Sequence, residues 1–198
     1  SEMCIRDSRY TQRFTREGWM RLSPEKILEK AKGIVKPGQK EEAALLKTIN
    51  LILKAANETA RALNISVKPE IQGSVAKGTW LPGDKDIDLF LLFPKTTPLE
   101  DLKETGLEIA RLIVKKLGGT AVEKYAEHPY IEAVLSGYTV DIVPAYEVEN
   151  CEDIKTAVDR TRLHTRYVNS KMDEEKRLHV RLLKKFMKNK KSTEEKKK

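Results

Sequence analysis

Apolar residues at Ile27, Leu28, Ala31, Ile34 and Val35 recur at three- and four-residue steps, and the same period returns at Ala44, Leu45, Ile49, Ile52, Leu53, Ala56, Ala60 and Leu63. This spacing predicts two amphipathic helices, parted by the turn-forming stretch KPGQK, Lys36 to Lys40. Ser23 and Pro24 supply a cap and a first-turn residue for the earlier one. The period then shortens. NISVKPEIQG predicts a strand ending at Gly73, and DIDLFLLFP a second one closed by Pro94. From TTPLEDL, with Thr97 as cap and Pro98 at the first helical position, the residues Leu102, Ile109, Ala110, Ile113 and Leu117 predict a third helix that stops at Gly118 and Gly119. Three extended stretches follow, TAVEKYAEHPY, IEAVLSG and YTVDIVPAY, with Ser136 and Gly137 as a two-residue hairpin turn. A last amphipathic helix is predicted near Met172 to Phe186. The pattern describes an α/β (α+β) domain, a small mixed sheet of about five strands with flanking helices, and shows no internal repeat.

A chain of 198 residues holds one sizeable core with the beginning of a second domain. The longest apolar run, Leu89 to Phe93, is far short of a membrane span, and two cysteines, Cys4 and Cys151, give neither metal spacing nor a disulfide framework. Together these predict a soluble, cytoplasmic protein with no membrane partner. The net charge of +8 suggests nucleic acid until it is divided: residues 184–198 carry +6, residues 1–19 carry +1 and the body between them only +1. The basicity alone therefore does not argue for RNA binding.

Both ends are expected to be foreign to the fold. SEMCIRDS is similar to a translated transposase adapter used in making sequencing libraries, which marks residues 1–19 as an artefact and Met20 as the next credible start. KNKKSTEEKKK reads as a solvated, disordered charge run.

The chemistry is concentrated where acids meet apolar strands. Residues two apart on a strand share a face, so Asp86 and Asp88 project together while Ile87, Leu89 and Leu91 point to the core. Such a pair is either a solvated strand edge or a site for a hard cation such as Mg2+. Asp141, flanked by Val140 and Ile142, is a third acid in apolar company and needs a partner or a metal. Gly73 and Ser74 directly follow a strand, where backbone N–H groups and a hydroxyl can cradle phosphate, and Lys77 one turn on adds a cation. Gly-Ser, then Asp-x-Asp, then a third Asp on a later strand is the set that two-metal phosphoryl or nucleotidyl transfer needs. Trp80, Phe90 and Phe93 are expected in the core rather than as base-stacking platforms, and His128 and His179 have no assigned role.

These residues resemble the DNA polymerase beta-type nucleotidyltransferase superfamily and, more closely, its archaeal, class I CCA-adding enzymes. GSVAKGTWLPGDKDIDLFLLFP, YAEHPYIEAVLSGYTVDIVPAY and IKTAVDRTRLHTRYV are similar to that family in order and spacing, over about Pro24 to Met187. The resemblance implies Mg2+ bound by Asp86, Asp88 and Asp141, with Asp141 helping to activate the 3′ hydroxyl of tRNA. Asp86 stands where the family also uses glutamate. Ser74 and Lys77 look like triphosphate contacts, Lys77 replacing an arginine of some relatives. His164, on a polar loop, and Lys184 match positions that contact the incoming nucleotide, and Arg160 belongs to the same surface.

The resemblance further implies ATP and CTP as substrates, tRNA as acceptor and a homodimer of the full-length protein. It sets the domains at 20–150 for catalysis and 151–187 for the start of a helical domain, with a tail over 188–198. The family continues with Val-Tyr-Gly-Ala where this chain has KSTEEKKK. Codons such as AAG TCT ACG GAG GAA, which would encode Lys-Ser-Thr-Glu-Glu, spell Val-Tyr-Gly-Gly when read from the third nucleotide, so the expectation is an N-terminal fragment ending in a frameshift. Two competing readings stand beside this one: another nucleotidyltransferase of the superfamily, and a non-catalytic nucleic-acid-binding module whose acids are structural.

Overall fold

The computed structural model describes residues 23–125 and 128–195. The expectations for residues 1–19 and for the final lysines lie outside the described residues. Helix α1 spans Pro24–Val35, and its Ser23 cap accepts a 3.4 Å hydrogen bond from the Lys26 amide, as the Ser-Pro pair predicts. Helix α2, Gln39–Ala62, buries Leu45, Ile49, Ile52, Ala56 and Ala60, which is the stripe read from the sequence.

Strand β1, Lys68–Gln72, leads into the single turn α3, Gly73–Ala76, and then to strand β2, Asp86–Phe93. Helix α4 spans Leu99–Lys116. Strands β3, Thr120–Lys124, β4, Tyr130–Leu135, and β5, Tyr138–Tyr146, complete the sheet, and helices α5, Arg160–Lys171, and α6, Glu174–Glu195, complete the chain.

The five strands lie in the order β1-β2-β5-β4-β3. Only the β2–β5 pair is parallel; the others are antiparallel. The β4–β5 hairpin closes through Ser136 and Gly137, with φ of 52° and 80°, the doubly left-handed turn that matches strand twist. That turn fixes the register, pairing Leu135 with Tyr138 and Glu132 with Asp141.

Helices α2 and α4 cover one face of the sheet, where Ile87, Leu89, Leu91, Ile131, Val140 and Ile142 are at most 1% exposed. Truncating one of these to alanine costs about 2–5 kcal/mol. The opposite face is divided: Phe90, Leu92, Val143 and Ala145 form a small apolar cluster toward one end, and the acids occupy the other. Trp80, Phe90 and Phe93 are all buried, as expected.

Three expectations need correction. The cap of α4 is Pro98, not Thr97, because Pro98 keeps ψ at 147° and the helix begins one residue later. His164 sits on helix α5 rather than on a loop; the polar composition of Arg160–Lys171 conceals that helix from an apolar-period search. The last helix starts at Glu174 and runs on to Glu195, past Phe186, so residues 188–195 are helical rather than a disordered run. Among the described residues no helix is long and apolar enough to cross a membrane.

Candidate active site

The acids are set by strand register. On β2 exposure alternates, with Ile87 and Leu89 buried and Asp86 and Asp88 turned to the opposite face. The parallel pairing places Asp141 directly beside Asp88, so three carboxylates share one patch. On the other side Gln72 is the cross-strand partner of Asp88. It is fully buried, donates to Glu70 at 2.7 Å, and has no partner for its Oε1 among the described residues.

Burial and mutual repulsion both act on these groups. Burial pushes the Asp141 carboxyl up to about 6, aided by the charges of Asp88, Glu132 and Asp86 and opposed by Lys124. Burial, then Asp86, also raises Asp88, against the pull of Lys77 and Lys184. Asp141 Oδ1 is shielded from solvent and has no hydrogen-bond partner among the described residues.

As they stand, no three or more His, Cys, Asp and Glu side chains among the described residues are arranged to hold a metal ion. The donor set nevertheless fits a divalent cation: three carboxylates on one patch, one with an orphaned oxygen, all hard donors. A cation there would offset the repulsion that raises both pKa values.

A pH test follows from the direction of the shift. The folded state holds the Asp141 proton more tightly than the unfolded chain, so metal-free stability falls as pH rises from about 4 to 6. Because Asp141 is partly exposed, the ionised penalty is discounted to about 1 kcal/mol. Metal-free Asp141→Asn should therefore melt about 2–4 °C higher than the parent at pH 7.5. The two should melt together below pH 4 in the same thermal scans.

On the β1 side the site turns basic. Gly73 has φ of +66°, and a Cβ there would run into the Asp88 carboxylate, so glycine is required for the chain to pass the acids. Ser74 follows on α3, and Lys77 closes that turn. Lys77 Nζ lies 3.2 Å from His164 Nδ1, which brings two predicted nucleotide contacts together from positions far apart in the chain. Lys184 Nζ donates to the Thr79 carbonyl at 3.0 Å and is close enough to Asp88 to lower its pKa. Burial depresses Lys184 itself, with Lys188, Lys77 and Arg181 adding to the effect and Asp84 opposing it. This crowding of cations describes a surface suited to a polyanion.

Arg160, the first residue of α5, is exposed and is not drawn into this network. Three contributors on α6 escaped the sequence reading. Arg177 and Arg181 on α6 donate to the carbonyls of Lys77 and Gly78 at 3.1 and 2.5 Å, and Lys188 pairs with Asp84 at 2.5 Å. Helical spacing of Arg177, Arg181, Lys184 and Lys188 is a one-sided basic stripe that could have disclosed them. Glu132, opposite Asp141, was reachable by counting back from the Ser136–Gly137 turn. Arg162, buried and bonded to Glu70, Val148 and Glu149, pins α5 to the sheet and with it His164.

The chain matches the family model described as "Nucleotidyltransferase domain" over residues 52–164. It is 44% identical over 164 residues to the CCA-adding enzyme of Pyrococcus furiosus, covering 83% of this chain and 36% of that protein. To the CCA-adding enzyme of Methanothermobacter thermautotrophicus it is 42% identical over 154 residues, covering 78% and 34%. The chain thus spans about a third of the length of these relatives.

Among solved structures, a cytoplasmic RNA terminal U-transferase superposes with a TM-score of 0.58 at 20% identity, over 84% of this chain and 45% of that one. CdnC of E. coli MS115-1 with ATP gives 0.59 at 19% identity, over 85% and 59%. These two show a shared fold. The family match covers more than half of the chain, which belongs to the nucleotidyltransferase domain family.

Proposed function

We propose that this chain is the catalytic palm of a template-independent tRNA nucleotidyltransferase, which joins CMP and then AMP to the acceptor's 3′ end. The observation that carries this reading is the register of Asp88 with Asp141 beside a cationic wall formed by Lys77, His164 and Lys184. The relatives named CCA-adding enzyme support the choice of tRNA, CTP and ATP. A cytoplasmic setting follows from that substrate.

Nucleotidyltransferases generally use a divalent metal, and Asp86, Asp88 and Asp141 would hold it here. Mg2+, when bound, would supply Lewis acidity at the attacking hydroxyl and at the triphosphate. The side chains of this protein do the rest. Ser74, Lys77, His164 and Lys184 hold the triphosphate and orient its leaving pyrophosphate away from the acids. Asp141 faces the acceptor and takes the hydrogen bond of its 3′ hydroxyl. The bond from the α-phosphorus to the pyrophosphate oxygen breaks, the hydroxyl oxygen forms the new ester, and its proton passes by way of the Asp141 carboxylate to solvent. Rigid strands keep the acids in place through each cycle.

The test is transfer by the chain of labelled nucleotides onto a tRNA transcript ending before CCA, resolved one nucleotide at a time. The expected product gains two cytidylates, then one adenylate, and stops. Incorporation of UMP or GMP, a homopolymer, or no transfer would contradict this reading.

A further inference from the structure

The active face is ordered from side to side. Cations lie by β1, acids lie on β2 and β5, and beyond β5 the same face continues onto β4 and β3. In displacement at phosphorus, attacking and leaving oxygens are in line on opposite sides. With pyrophosphate leaving toward β1, the acceptor hydroxyl approaches over β5 and β4.

The first side chain it meets beyond Asp141 is Glu132, its direct cross-strand partner. Such partners have Cα atoms about 4.5–5.5 Å apart. Glu132 is half-buried, and Lys124 Nζ at 3.2 Å pairs with it and restrains it. A carboxylate offers about four acceptor positions, so one ion pair leaves several unused. Its surroundings are open, because Val134 and Val122 on the same face are 53% and 56% exposed.

We propose that Glu132 is a specificity-determining residue that accepts a hydrogen bond from the 2′ hydroxyl of the acceptor's terminal ribose. The inference rests on the nucleotidyl-transfer reading and deepens it. The 2′ and 3′ hydroxyls are neighbours on one ring edge, as Asp141 and Glu132 are neighbours on one face. The 2′ hydroxyl separates RNA from DNA, so Glu132 would make the site prefer a ribonucleotide end.

The experiment compares binding of two short RNAs, one ending in cytidine and one in 2′-deoxycytidine, by fluorescence anisotropy with Mg2+ and no triphosphate. The parent chain should prefer the ribose end by about tenfold, the worth of one hydrogen bond to a charged group. Glu132→Ala should bring the ratio to about one, and Glu132→Gln should lower it substantially. Lys124→Ala, which breaks the ion pair and leaves the carboxylate, should retain most of the preference. CTP binding by each variant reports that the fold persists.

A parent ratio near one, or a preference unchanged in Glu132→Ala, overturns the inference. A chain that binds CTP but neither RNA overturns it while leaving the nucleotide site standing. A chain that binds neither ligand overturns both readings.

Discussion

Asp88→Asn is expected to lower nucleotidyl transfer by about a hundred- to a thousandfold while leaving the chain folded. Asp88 is the central acid, with Asp86 two residues before it, Asp141 beside it on β5 and Gln72 beside it on β1. Asparagine keeps its size but removes the charge that a divalent cation requires, and loss of one electrostatic element of this kind costs two to three orders of magnitude. Burial already opposes ionisation of Asp88, so the neutral variant should be no less stable without metal. Single-turnover rates and a thermal scan read both effects. More than a tenth of the parent rate remaining would remove Asp88 from the chemistry.

The second large effect is expected for Gly73→Ala. A left-handed φ costs an L-residue about 1–2 kcal/mol, and here the added methyl also meets the Asp88 carboxylate. One of them must move. Either shift displaces an acid from its register or tilts the turn that carries Ser74 and Lys77. A displacement of about 1 Å in such a site is worth roughly a hundredfold in rate. Gly73→Ala should therefore lose about 2–4 kcal/mol of stability and slow nucleotidyl transfer about a hundredfold. Near-parent values for both would mean that the chain passes the acids without needing glycine.

Much of the fold is legible in the sequence. Helices α1, α2 and α4 declared themselves by apolar period, and DIDLFLLF exposed its acids because an alternating strand cannot hide them. The hairpin was written in Ser136–Gly137. Helix α5 was not, since Arg160–Lys171 is mostly polar and is held through buried Arg162 and its ion pairs rather than through an apolar stripe.

The cationic wall was legible only in pieces. Lys77 and His164 are distant in sequence, and only the fold makes them neighbours. The carbonyls of Lys77, Gly78 and Thr79, gripped in turn by Arg177, Arg181 and Lys184, are backbone groups to which no residue type points.

The proposed function requires the three strand-borne acids and the facing cations to form one metal-dependent triphosphate site. Calorimetric titration of CTP and ATP into the chain, with and without Mg2+ and repeated on the Asp86→Asn/Asp88→Asn double variant, decides whether they do. Binding that needs Mg2+ and disappears in the double variant is the predicted result. Equal, metal-independent behaviour of the two proteins would contradict it and make the acids structural.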